Sequence, residues 1–480
     1  MKEILMKAIE RALEEGASFA DGRIVRRKSE EIYVKNGRPE RIELQEEVGL
    51  GLRVIWKRAL GFASTNELSP KSARETADMA IQMAKGAHKA GHMEVNLAEE
   101  EPGKGSFKFP YEKDPFDIPL SEKVEFLLEC DRLMNISDKI KVRESILRSL
   151  REEKLFASSE GGDIEQIITL CGGGISATAV EGNESQQRSY PALEGNYAQT
   201  GWEFVESLDL PANAERIAKE AEELLNAPPC PSDERALIIG KSMLGLQIHE
   251  SCGHPAEADR VFGYETSFAG DTFLTRDKLG NFRYGSPLVN IVADATLEKA
   301  LGHFAYDDEG VRAQRIELVK EGIFQNYLTS RETAYKLGIK SGGCARADGY
   351  RNLPIIRMTN INLEPGDFSL DELIQETKKG LLIEEYSSWS IDDKRLNFQF
   401  AGEIGWLIED GEIKGMVKNP TYTGITPQFW NSLDALTNKS TLFLLGVPNC
   451  GKGEPMQSMY VGHQVPYARF QNVRIGVMKR

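Results

Sequence analysis

The six histidines of this 480-residue chain stand at positions 88, 92, 249, 254, 303 and 463. Two of them bracket one hexamer, His249-Glu250-Ser251-Cys252-Gly253-His254. Two imidazoles with an adjacent carboxylate are the makings of a hydrolytic metal site: two nitrogens for a divalent ion and a base beside it. The spacing is unusual. In the familiar zinc-protease helix the histidines are four residues apart and share a face. Five residues apart on a regular helix leaves them roughly 140° apart, too far round to meet at one ion. A shared metal therefore requires the helix to widen. Pro255 supplies a cause, because its ring collides with a carbonyl one turn back and it has no N–H to give. A π turn, closed by an i→i+5 bond, relieves that collision and rotates position i+5 back over position i. Gly253 lowers the steric cost. The sequence thus predicts a π bulge or kink inside a helix over Lys241–Arg260.

With zinc between them, His249 and His254 are ligands and Glu250 is the general base. Zinc chemistry polarises a peptide carbonyl and acidifies a water, while Glu250 carries the proton to the leaving amine. A catalytic zinc wants a third protein ligand. Cys252, Glu257, Asp259, a distant cysteine, His303 and His463 are all candidates; local geometry favours Glu257, one turn past His254, although Glu257 and Asp259 read more readily as partners of the ligands than as ligands themselves. His463 is also a candidate stabiliser of the oxyanion. Asp307, Asp308 and Glu309 form a carboxylate cluster beside Gly310. It reads either as an anchor for a substrate amine or partner of a zinc histidine, or as a charged turn.

These residues need a scaffold. Two stretches rich in proline divide the chain, Glu100–Pro119 and Asn226–Glu234, and both read as linkers. They leave units at 1–100, 117–226 and 233–480. The first two look alike. Each opens with an amphipathic helix (Lys2–Glu15; Ser121–Asn135), continues with β-rich runs punctuated by glycines, and closes with a helix (Pro70–Ala87; Asn213–Leu225). The third begins with a buried strand, Ala236–Gly240, then the Lys241–Arg260 helix, then many short strands joined by Gly turns. The expected fold class is α+β: two related helix–meander–helix units followed by a β-rich domain carrying the metal-binding helix.

Composition excludes several classes. Lys+Arg 59 against Asp+Glu 74 gives a net charge of −15, which disfavours a nucleic-acid surface. No apolar run reaches the ~18 residues of a membrane helix. Glu3 and Glu10 interrupt any signal-peptide core, and six scattered cysteines suit a reducing compartment, so a cytoplasmic location is expected. His88 and His92 flank Lys89 and are expected to be solvated.

The segment HESCGHPAEAD (His249–Asp259) resembles the HExxxH segment of the TldD/PmbA family of metallopeptidases, on the metal-bearing TldD side. AYDDEGVRAQR (Ala305–Arg315), EGIFQNYLTSRETA (Glu321–Ala334), CARADGYRNLPIIRMTN (Cys344–Asn360), GEIGWLIEDGEIKG (Gly402–Gly415) and NCGKGEP (Asn449–Pro455) also resemble it, in the same order. The resemblance implies that the third zinc ligand is Cys450, with His249 and His254 as the other two and Glu250 as the base. It implies breakdown of unstructured peptides and trimming of leader peptides, and a dimer, either of two like chains or with a TldE/PmbA-type chain lacking the metal motif. Cys252 departs from the small or apolar residues common there, and is a second sulfur beside the ligands. The competing function is a non-catalytic peptide-binding partner whose metal is structural. A zinc amidase for small molecules is a third. Glu250 separates the first two readings, since a scaffold has no use for a base.

Overall fold

The computed structural model describes residues 1–91, 93–268, 270–453 and 456–476. His92 and the Glu454–Pro455 end of the NCGKGEP stretch lie outside the described residues. The chain is an α+β protein.

The amino-terminal half repeats one plan. Helix α1 (Lys2–Glu14) precedes a long hairpin, β1 (Phe19–Lys35) and β2 (Arg38–Trp56), a short strand β3 (Ala59–Thr65) and helix α2 (Pro70–Lys89). After an edge strand β4 (Lys104–Lys108), the plan recurs: α3 (Leu120–Met134), a hairpin of β5 (Ile140–Ser158) and β6 (Asp163–Glu181), then β7 (Glu184–Tyr190), β8 (Asn196–Ala198), α4 (Trp202–Leu208) and α5 (Leu210–Asn226). The Asn36-Gly37 turn, with both residues at positive φ, joins β1 to β2.

The repeats do not stand apart. β1 pairs antiparallel with β5 from Asp21↔Ser158 to Lys35↔Glu144, so both hairpins share one sheet in the order β3-β2-β1-β5-β6-β4. The first linker, read as free of sheet, contributes β4, which runs parallel to β6. Alternation along the strands divides the faces. Ile24, Ile32, Leu50 and Leu52 are buried in the clusters that include residues of α1, α2 and α3. On the opposite face, Arg23 donates to the carbonyl of Gly349, and Gly49 and Gly51 leave room for Tyr350, whose atoms would lie 2.3 Å and 2.2 Å from any added Cβ.

The carboxy-terminal part is built on β9 (Glu234–Ile239), whose Leu237, Ile238 and Ile239 are fully buried. It runs parallel to Lys379–Ile383 and antiparallel to Ala468–Ile475 within a nine-stranded sheet. Tyr386–Ile391 is the outermost strand on one side. The expected hairpins are present: Ile404–Glu409 pairs with Glu412–Lys418 across Asp410 and Gly411, and Arg315–Lys320 with Ile323–Phe324 across Glu321 and Gly322, all four turn residues at positive φ. After β9 the chain turns at Gly240 into α6 (Lys241–Ile248), which lies in the main core beside Leu237 and Ile239.

Candidate metal centre

At the end of α6 the backbone widens. His249–Gly253 form a π turn, and the N–H of His254 donates to the carbonyl of His249. A short 3-10 turn, His254–Ala256, carries the proline. Gly253 has a packing reason as well, since an added Cβ would come within 2.1 Å of Met358 Sδ. The widened turn brings the imidazole rings of His249 and His254 to a centroid separation of 4.7 Å at 90°.

The third member arrives from 196 residues beyond His254. The hairpin of Phe443–Lys452 with Gln457–Val465 slips register between Val447 and Cys450. The extra residue there, within Pro448-Asn449, shifts the side-chain parity and puts Cys450 on the cleft side with Leu445 and Val447. Cys450 Sγ lies 3.4 Å from His249 Nε2 and 3.8 Å from His254 Nε2. Each residue offers one ligand atom, and these atoms lie within 4.8 Å of one another. Tetrahedral zinc separates a bound nitrogen and sulfur by about 3.6 Å. The donor set therefore fits one tetrahedral ion with a fourth position left to the cleft.

Neighbours fix the tautomers. His463 Nδ1 donates to the carbonyl of Ile361 at 3.1 Å, so its Nε2 accepts from His249 Nδ1 at 2.8 Å, leaving His249 Nε2 unprotonated beside the sulfur. His254 Nδ1 donates to Glu257 Oε2 at 3.0 Å, with the same result for its Nε2. Burial pushes the Glu257 carboxyl up, but Lys452, His254 and Arg260 hold it well below its ordinary value. It is therefore a charged partner of His254, not a neutral one. Lys452, fully buried, bridges Glu257 at 3.2 Å and Asp259 at 2.8 Å.

The cysteines separate cleanly. Burial pushes Cys130, Cys171, Cys252 and Cys344 up to about 12. Burial acts on Cys450 too, yet Arg357 and His254 bring its thiol below the ordinary value. Cys252 lies in the hydrophobic core and is not part of the ligand group.

Of the residues singled out in the sequence, the structure brings Glu257 and His463 against His249 and His254. His463 is fully buried behind His249 and does not line the cleft, so it does not reach an oxyanion. Asp307, Asp308 and His303 line a different cavity. The Asp307 and Asp308 carboxylates accept backbone N–H groups of Ala345 and Ala347 there. Glu250 lines the metal cleft, a cavity of about 360 Å³. It pairs with Arg395 Nη1 at 2.5 Å. Burial raises the Glu250 carboxyl, but its neighbours, the cations Arg395 and Arg260 among them, hold it below its ordinary value. Arg395 escapes a reading of the sequence because it lies 145 residues away, in the turn before Asn397–Gly402, at φ +61. Tyr386, Trp389 and Glu194 also line the cleft and carry no local motif.

Comparison with known proteins gives the family. Residues 232–477 match the PmbA/TldA metallopeptidase C-terminal domain, 20–84 match domain 1, and 113–227 match the central domain. A metalloprotease of Methanocaldococcus jannaschii is 33% identical over 458 residues, 95% of this chain and 96% of that one. A zinc metalloprotease TldD homolog of Saccharolobus solfataricus is 26% identical over 479 residues, 98% of this chain and 99% of that one. The solved structure of TldE from Thermococcus kodakarensis shares the fold, with a TM-score of 0.72 at 20% identity over 99% of this chain and 100% of that one. Three matches in order along the chain and a full-length likeness at this level make the protein a member of the PmbA/TldD metallopeptidase family.

Proposed function

We propose that this chain is a zinc-dependent peptidase of the HExxxH type, hydrolysing peptide bonds in extended, unstructured peptides. The observation that carries the reading is the convergence of His249, His254 and Cys450, whose ligand atoms lie within 4.8 Å, in a cleft that Glu250 also lines. Zinc held there supplies Lewis acidity to a water and to the scissile carbonyl. Glu250, kept ionised by the cations around it, takes the proton from the attacking water and delivers it to the leaving amine. Arg395 keeps the Glu250 carboxylate in place, and His463 and Glu257 keep both ligand imidazoles in the metal-binding tautomer.

The substrate reading draws on the outermost strand, Tyr386–Ile391, whose Tyr386 and Trp389 line the cleft. An extended peptide added to that edge is gripped by its main chain, which tolerates many sequences. Leader peptides are one such class. The three units at 1–100, 117–226 and 233–480 are the corresponding division of labour, with a second chain, like or TldE-like, closing the cleft to folded proteins. Free cysteines throughout support a cytoplasmic setting. Among the described residues no helix is long and apolar enough to cross a membrane.

The test is purified protein with its zinc content measured, assayed on unstructured peptides before and after Glu250→Gln. Cleavage that disappears while zinc stays supports the reading. Unchanged cleavage would remove Glu250 from the role of base, and no cleavage by the zinc-loaded, unsubstituted protein would return the chain to the role of a peptide-binding subunit with a structural metal.

A further inference from the structure

Glu194 lines the same cleft as the three ligand residues but belongs to the amino-terminal half of the chain, in the turn that leads into β8. Among the described residues its carboxylate makes no hydrogen bond and no ion pair. Arg148 feels its charge, but Arg148 is committed to Glu31 at 2.6 Å. The chain is anchored close by. Two residues on, Asn196 donates to the carbonyl of Leu444 at 2.9 Å and accepts from the N–H of Gly446 at 2.8 Å, both on the strand that carries Cys450. Glu194 is thus tied to the same strand as the sulfur.

Two aromatic rings line the same cleft. Tyr386 and Trp389 meet edge to face, with centroids 5.6 Å apart at 89°. Tyr386 is buried and feels the charge of Glu194, while Trp389 is 45% exposed. A carboxylate beside two perpendicular ring systems is the chemistry that recognises an organic cation: the charge supplies attraction and the ring faces supply cation–π contact. Arg395 also lines this cleft, and it pairs with Glu250. A cation brought by the substrate would meet the Glu194 carboxylate.

We propose that Glu194, Tyr386 and Trp389 form a cation subsite that gives the enzyme a preference for peptides carrying a positively charged nitrogen near the scissile bond. That nitrogen is supplied by a Lys or Arg side chain or by a free α-amino group. The inference rests on the peptidase reading, yet its content is selective binding, and binding tests it separately.

Zinc-loaded Glu250→Gln protein is titrated with acetyl-Ala-Ala-Lys-Ala-Ala-amide and with its Gln counterpart, and with pentaalanine amide bearing a free or an acetylated amine. The expected result is a Kd about tenfold lower for the charged member of at least one pair at low ionic strength, with the advantage shrinking as salt is added. The pair that shows it identifies the source of the cation. Adding Glu194→Gln should bring the ratio to within about twofold, and Trp389→Leu, at an exposed side chain, should lower it independently. Glu223→Gln makes the same charge change on an exposed position of α5 and should leave the ratio as it was. Equal binding of charged and neutral peptides, or a ratio indifferent to Glu194→Gln, overturns the proposal. The same peptides are then assayed for kcat/KM with unmodified protein. Selective binding with no cleavage keeps the subsite and removes the peptidase reading; cleavage with no selectivity does the reverse.

Discussion

The cleft around Glu250 and the turn at Asp307–Glu309 are both buried clusters of ionisable groups, and they differ in what their lone pairs are doing. Asp307 Oδ1 accepts the N–H groups of Glu309 and Val311, each at 2.9 Å, and its Oδ2 accepts that of Ala345 at 3.0 Å. Asp308 takes the N–H of Ala347 and pairs with Lys154 of β5 at 2.7 Å. Glu309 takes Arg53 of β2 and the N–H of Arg331. These carboxylates clamp the amino-terminal sheet to the carboxy-terminal part, and most of their contacts serve that task. Glu250 pairs with Arg395 and faces a cavity, and the nearby imidazoles present unprotonated nitrogens to one another's neighbourhood. The first cluster spends its oxygens mainly on backbone N–H groups and cations, whereas Glu250 shares its cleft with two imidazoles and a sulfur.

Substitutions can break this contrast. Glu250→Gln should lower kcat/KM on an unstructured peptide by roughly 10²–10⁴-fold, with zinc content and melting temperature held; metal analysis and calorimetry check the second half. Cys450→Ala should leave two protein ligands, and the purified protein should lose zinc on dialysis, whereas Cys252→Ala should keep its zinc through the same treatment. On the clamp side, Asp308→Ala strands the N–H of Ala347 and leaves Lys154 with Glu152 alone. It should destabilise the fold by about 2–4 kcal/mol, read from chemical denaturation, while the folded fraction keeps its zinc.

A smaller effect is expected at a second clamp, where Arg188 meets Glu385 and Glu403. Burial lifts the Glu385 carboxyl from 4.5 to about 7, against the pull of Arg188. The folded protein then binds a proton more tightly than the unfolded chain, so this group's contribution to stability falls as pH rises from about 4.5 to 7. Glu385→Gln should flatten the pH dependence of the denaturation midpoint across that window. A profile as steep as that of the unmodified protein would place the titration elsewhere.

Local rules reached the parts of the molecule whose cause is local. His249, His254 and Pro255 lie within seven residues, and the collision of a proline ring with a helical carbonyl was enough to forecast the π turn. The hairpin turns at Asp410-Gly411 and Glu321-Gly322 were legible for the same reason. Cys450 was not legible from spacing, and its role came from resemblance, because the register slip that aims it lies in another element. The pairing of β1 with β5 was hidden too, since alternating strands declare their faces but not their partners. Arg395 and Glu194 reach the cleft from distant turns, and the Asp307–Glu309 turn gave no sign of which backbone groups would saturate it.

The strand that delivers the sulfur is seated on the amino-terminal half. Gly446 lies so close to β8 that an added Cβ would come within 1.9 Å of the Tyr197 carbonyl oxygen, and Asn196 binds the backbone on either side of Leu445. Cys450 lies 196 residues past His254 in the chain, and the strand that carries it is seated on residues of the amino-terminal half. The meeting of the sulfur with the two imidazoles therefore depends on both halves of the molecule.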